Sequence, residues 1–244
     1  MLTPATLAPA ALERATQFVR EHHRDPISVT DLADHAGYSR HHFSRAFSAS
    51  LGISPGAYLT AVRIETAKTL LLSDSCPVID VASEVGFDSL SSFTRRFAAS
   101  VGTTPAALRK LGLRLEDAAP RPFQLSTPGQ AMVSVAPVLP GGVGEDCRLW
   151  LGWYSTPAPI GLPAAGILTD YNAHIALPLQ PGAPWLLGFL VGRGDHHLHQ
   201  LAPSQPVVGR HPTPITHGTR LTLHFRRAGL GDVPLLSALP ALAG

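Results

Sequence analysis

The sequence predicts an α + β chain of two domains, an all-α half followed by a mostly-β half that closes as a sandwich or barrel. Three observations predict it. Residues 28–112 carry one helical unit twice. Apolar residues recur every three or four positions up to about Leu115. After EDAAPRP, Pro and Gly become frequent, and short apolar runs are separated by turn signals. The expected boundaries are 8–115 for the helical domain, 116–123 for a linker and 124–244 for the β-rich domain. Pro120 and Pro122 oppose helix continuation through the linker.

The two copies start at Asp31 (DLADHAGYSRHHFSRAFSASLGISPGAYL) and at Asp80 (DVASEVGFDSLSSFTRRFAASVGTTPAAL). Gly37 falls on Gly86 and Tyr38 on Phe87. After one inserted residue, Phe43 falls on Phe93, Arg45 on Arg95, Phe47 on Phe97, Gly52 on Gly102 and Pro55 on Pro105.

Taken in order, Leu12, Ala15, Phe18 and Val19 form a helical stripe that ends near Arg24, because Pro26 opposes extension. Ser28 or Thr30 caps a short helix with Leu32 and Ala33, and Gly37 ends it. Ser39 caps the next helix, which carries Phe43 and Phe47 on one face. Ser54-Pro55 opens a long helix with Ala57, Ala61, Ile64, Ala67 and Leu71 along one side. The short helix, Gly turn and second helix then repeat, and Pro105 opens a final helix.

This arrangement suits a helix-turn-helix. The first helix needs a small residue so that the second can cross it; the turn needs Gly; the second helix needs a large apolar residue inside. Ala33, Gly37 and Phe43 meet these needs in one copy, and Ala82, Gly86 and Phe93 in the other. The second helix of such a unit lies in the DNA major groove with its N-terminal residues at base edges. Phe43, Phe47, Phe93 and Phe97 are expected in the core and not as base-stacking groups, which need an exposed sheet.

With RIETAKTLLL in the connecting helix and VASEVGFDSLSSFTRRFAASVGTTPAAL in the second unit, residues 8–112 resemble the DNA-binding domain of the AraC/XylS family of bacterial transcription regulators. The resemblance covers somewhat under half the chain. It implies about seven helices, and two recognition helices entering successive major grooves about one turn (~34 Å) apart. Carried onto this sequence, the base-facing residues are Arg40, His41, Ser44 and Arg45 in SRHHFSRAF, and Leu90, Ser91, Ser92, Thr94 and Arg95 in SLSSFTRRF. Arg45 and Arg95 stand out, because Arg makes a paired contact to guanine. Ser39, Ser89, Arg96, Arg109 and Lys110 are the phosphate candidates. Leu90 suits a thymine methyl, and the second helix, short of long polar side chains, leans more on DNA shape. The resemblance implies double-stranded DNA and RNA polymerase as partners, and a second domain that senses a small-molecule effector or forms a homodimer. Most relatives carry that second domain first, whereas here the helical unit leads.

Charge does not announce a DNA partner. The formal net charge is +2, and residues 1–119 hold 12 Lys and Arg against 12 Asp and Glu. Affinity must come from charge arranged on one face. Cys76 and Cys147 fit no metal spacing and read as reduced thiols. The opening MLTPATLAPAALERATQ lacks the basic and apolar regions of a secretory leader. The longest apolar run, PWLLGFLVG, is about half the ~20 residues that span a bilayer. A cytoplasmic protein without a membrane partner is expected.

In the second half, strands are expected at 131–138, 147–154, 172–179, 184–191, 196–201 and 219–226. On a strand His197 and His199 would share a face, as paired metal ligands do, but no Glu follows at a short spacing. No metal and no cofactor is expected. Trp150, Trp153, Tyr154 and Trp185 read first as core, and second as a ligand pocket or sugar-binding face. The chain shows no nucleophile elbow, phosphate loop or zinc-protease motif, and two cysteines are too few for a zinc-bearing DNA-repair alkyltransferase. It is therefore not expected to be an enzyme. The alternatives left open are a metal-dependent cupin-like enzyme or a carbohydrate-binding module fused to a DNA-binding unit.

Overall fold

A computed structural model describes residues 6–73, 75–115, 121–125, 131–143, 147–171, 174–192, 200–239 and 241. Seven helices come first: α1 (Pro9–His22), α2 (Val29–Ala36), α3 (Arg40–Leu51), α4 (Pro55–Ser73), α5 (Val78–Glu84), α6 (Leu90–Val101) and α7 (Pro105–Leu115). Eight strands follow: β1 (Phe123–Leu125), β2 (Met132–Val138), β3 (Cys147–Tyr154), β4 (Ala165–Asp170), β5 (Ile175–Pro178), β6 (Trp185–Gly192), β7 (Val207–Arg210) and β8 (Arg220–Arg227). The α + β order is the one the sequence predicts.

The helical half has two cores. Leu32, Ala33, Phe43 and Phe47 fill the first, and Val81, Ala82, Phe93 and Phe97 the second. The long helix α4 feeds both, with Tyr58 and Val62 turned to the first and Ile64, Ala67 and Leu71 to the second. The expected single apolar stripe is thus incomplete. A helix clamped between two units buries more than one side, and α4 buries even Lys68.

The strands form one sheet in the order β1-β4-β3-β6-β7-β8-β2-β5. All pairs are antiparallel except β2 with β8. Strand β8 serves two neighbours: Arg220–His224 pair with β2, whereas Phe225–Arg227 pair with β7. The sheet must curl. From β4 to β5 is six steps across the sheet, about 29 Å if flat. The connection between them is only residues 171–174, which reach about 18 Å. The result is a curled half-barrel. Its inner face is filled by Leu149, Leu151, Trp153, Leu177, Leu186 and Phe225 among others. Its outer face carries Trp150, Leu168, Phe189 and Val191.

Trp150 shows how the sequence permits this. Gly152 and Gly166 are register partners on β3 and β4. A Cβ on Gly166 would stand 2.5 Å from the Trp150 ring, and one on Gly152 would stand 3.0 Å from its indole nitrogen. The paired glycines therefore give the indole a flat bed. Trp150, Trp153 and Tyr154 are buried and Trp185 is half-buried, so these aromatics are packing groups.

The strand expected at 147–154 is β3 with the same ends, and those expected at 131–138, 172–179, 184–191 and 219–226 appear as β2, β5, β6 and β8 with shifted ends. Strands β1, β4 and β7 are additions, and Phe123, assigned to the linker, begins β1. The strand expected at 196–201 needs correction at its end: Gln200 and Leu201 are helical. The reason is packing, since Leu201 is buried in the second helical core and not in the sheet. His197 and His199 lie outside the described residues.

After β8 the chain turns at Gly229–Asp232 and runs back between the two halves. The Asp232 carboxylate accepts from the Gly229 amide at 2.7 Å and from both Arg226 Nη atoms at 2.6 Å. Residues 234–239 are all buried. Leu236 and Ala238 enter the second helical core, while Leu235 and Leu239 pack on Trp150 and Phe189 of the sheet. This two-sided alternation is what an extended segment produces. Its backbone is held as well, by Ala238 N donating to Val101 O at 2.9 Å and by Lys68 Nζ donating to Leu235 O at 3.1 Å.

Candidate nucleic-acid interface

Helices α3 and α6 are each preceded by a short helix and a glycine turn, but their caps differ. Helix α2 opens with a capping box: Ser28 Oγ accepts from the Asp31 amide at 3.3 Å, and the Asp31 carboxylate accepts from the Ser28 amide at 2.7 Å. The Ser28 amide, and then its hydroxyl, hold the Asp31 carboxyl below its ordinary value. Gly37 (φ 81°) and Gly86 (φ 85°) make the turns in the left-handed region, where other residues are strained. Helices α3 and α6 follow. Ser89 Oγ accepts from the Ser92 amide at 3.3 Å and caps α6. Ser39 stands in the same place before α3, in extended backbone, but makes no capping bond, contrary to expectation.

The side chains expected at base edges lie at matching positions. Arg40, His41, Ser44 and Arg45 follow the i, i+1, i+4, i+5 spacing of one helix face, as do Leu90, Ser91, Thr94 and Arg95. Arg40, His41 and Arg45 are exposed and Ser44 is half-buried. Leu90, Ser91 and Arg95 are exposed, while Ser92 and Thr94 are half-buried. The 41% exposure of Leu90 is large for an apolar residue and leaves its methyl groups free for contact. Ser39, Ser89, Arg96 and Lys110 are also exposed. Arg109 is used differently: Nε donates to Leu71 O at 3.2 Å and Nη2 to Cys76 O at 2.6 Å. Its guanidinium ties the end of α4 to the approach to α5. Phe43, Phe47, Phe93 and Phe97 are fully buried, as expected of core residues.

A helix-turn-helix domain profile matches residues 32–111. The uncharacterised HTH-type transcriptional regulator YfiF of Bacillus subtilis is 31% identical over 134 residues, 55% of this chain and 41% of that protein. The right origin-binding protein of Escherichia coli K12 is 37% identical over 91 residues, 37% of this chain and 32% of that protein. The transcriptional activator AarP of Providencia stuartii is 37% identical over 83 residues, 34% of this chain and 62% of that protein. Residues 32–111 are an AraC-type helix-turn-helix DNA-binding domain. The chain spans less than two thirds of each of these three relatives. Among solved structures, the DNA-binding domain of AdpA in complex with a target DNA is 31% identical, with a TM-score of 0.40, over 41% of this chain and 90% of that one.

Within the AraC-type domain, sequence reasoning missed the residues that fix one unit against the other. Arg63, on α4, donates Nε to His23 O at 2.6 Å and Nη2 to Asp25 O at 2.8 Å. Its guanidinium also lies 6.0 Å over the Phe87 ring. One side chain thus joins the turn after α1 to the turn of the second unit. Arg24 and Glu84 add an ion pair at 3.2 Å across the same seam. Arg63 lies in the RIETAKTLLL segment, so its place was visible and its partners were not. Among the described residues, no three His, Cys, Asp or Glu side chains come together, and no helix is long and apolar enough to cross a membrane.

Proposed function

We propose that the protein is a sequence-specific transcription regulator that reads two successive major-groove segments with α3 and α6. The observation that carries this is the matched pair of exposed faces, Arg40-His41-Ser44-Arg45 and Leu90-Ser91-Thr94-Arg95, on two units locked through the buried helix α4. Arg45 and Arg95 supply base contacts. Ser39, Ser89, Arg96 and Lys110 supply phosphate contacts that set register. Ser92, whose amide is used in the cap, helps by orienting the start of α6.

The β-rich domain modulates this reading through an effector or a homodimer contact, and the DNA-bound protein acts on RNA polymerase. The segment 234–239 supports an effect of one domain on the other, because it is buried against both.

Selection of bound sites from a random DNA pool tests the reading. The full chain should enrich a site with two short elements about 10 bp apart. Absence of any enriched sequence at physiological salt would contradict it.

A further inference from the structure

A cavity of about 880 Å³ lies between α1 and the end of α3 on one side and the outer face of the sheet on the other. That volume falls in the range of small-molecule sites, roughly 300–1,000 Å³. It has three walls of different origin. Leu12, Glu13 and Thr16 of α1 and Leu51 of α3 form the helical wall. Leu187, Phe189, Val208 and Arg210 of β6 and β7 form the sheet wall. The turn at Gly229–Asp232 and Leu235 close the third side.

The chemistry of the walls is uneven. Leu51, Leu187, Phe189 and Leu235 are buried apolar residues. On the sheet wall Leu187 pairs with Arg210 and Phe189 with Val208, so the apolar strip ends at an arginine. Two cations stand at this mouth, and they differ. Arg226 is closed by its paired bonds to Asp232, both at 2.6 Å. Arg210 is exposed and gives Nη1 to Pro157 O at 3.3 Å; its charge also reaches Asp232, but both Asp232 carboxylate oxygens are taken by Arg226, so Arg210 carries the charge that the pair does not cancel. Glu13, exposed on α1, puts the opposite sign on the helical wall. An anionic group therefore belongs at the sheet side.

We propose that this cleft binds a small organic anion with an apolar body. The body lies against Leu51, Leu187, Phe189 and Leu235, and a carboxylate, sulfonate or similar oxyanion meets the Arg210 guanidinium, whose paired N–H groups suit two oxygens of one group. The effector role of such a ligand rests on the regulator reading above; the site itself does not. Because the three walls belong to the first helix-turn-helix unit, the sheet and the returning segment, an occupant is felt by both domains.

The test uses the full chain without DNA, with anilinonaphthalene sulfonate as probe and its uncharged analogue phenylnaphthylamine as control, both read by fluorescence titration. One saturable site for each is expected, with the sulfonate bound more tightly. Val208→Trp, which fills the cleft from a half-buried position, should weaken both at least tenfold. Arg210→Gln, at an exposed position, should remove the preference for the sulfonate and leave the neutral probe unchanged. Circular dichroism of each variant checks that it is folded. Non-saturable binding, or affinities that neither variant alters, would overturn the proposal. Loss of DNA reading leaves these titrations unaffected, so the two proposals fail separately. If the site holds, saturating probe should also shift the affinity for a selected DNA site several-fold.

Discussion

Lys68, fully buried in the C-terminal half of α4, donates its ammonium hydrogen to the backbone oxygen of Leu235 at 3.1 Å. One residue belongs to the helix between the two helix-turn-helix units. The other belongs to the segment returning from the β domain. Burial pushes the Lys68 amine down to about 7, with Glu65 opposing part of the shift.

That value predicts a pH dependence. The folded value lies below the ordinary 10.5, so between the two the unfolded chain holds one more proton. Stability should therefore rise with pH by about 1.4 kcal/mol per unit in this window. Below about 7 the ammonium is charged in both states and the contribution is flat. Lys68→Met should remove this slope, while leaving Leu235 O without its donor costs about 1–3 kcal/mol. Urea titrations from pH 6 to 10 measure both, and a slope unchanged in the variant would refute the assignment.

The returning segment should matter for both domains. Leu236 is fully buried in the second helical core. Leu236→Ala should cost about 2–5 kcal/mol as a large-to-small core change. Amide exchange should quicken in α4 and α6 as well as in residues 228–241. Faster exchange confined to the tail would mean that it is not a joint.

The two turn glycines should differ. Both lie at positive φ, so Ala at either carries about 1–2 kcal/mol of backbone strain. A Cβ at Gly37 meets nothing within 4 Å. At Gly86 it meets Arg24 O at 2.8 Å and the Arg63 guanidinium at 3.1 Å. Gly86→Ala should therefore be the more damaging in thermal unfolding, and equal losses would argue against the Arg63 seam.

Much of this was legible in the sequence for physical reasons. Gly37 and Gly86, with phenylalanines at fixed offsets, define a unit whose contacts are local, so repetition alone revealed α2–α3 and α5–α6. The long strands β3 and β6 were legible as apolar runs bounded by turn residues, and β8 as a run that alternates polar and apolar residues. What escaped depends on distant partners. Strand β4 is short and interrupted by Gly166, and its role as a bed for Trp150 appears only once it pairs with β3. Leu201 looked like part of a strand because its alternating run fits one, but its burial is supplied by the helical domain. Arg63 and Lys68 read as ordinary charges and Arg109 as a phosphate contact, yet each donates to backbone oxygens of segments far along the chain. The cleft, likewise, is built from three separate stretches.

Arg45 and Arg95 should divide the work of recognition. Each replacement by Ala should cost about 1–3 kcal/mol on a selected site. Lys110→Ala should weaken all DNA alike and reduce the salt dependence. Anisotropy titrations at several salt concentrations separate the two behaviours.

The most direct measurement is hydroxyl-radical footprinting of the full chain on its selected site, repeated with Arg45→Ala and Arg95→Ala. The account predicts two protected patches on one face of the duplex, about 10 bp apart, with each substitution relaxing sequence preference in one patch only. A single patch, or loss of preference in both patches from either substitution, would contradict reading by two helices joined through α4.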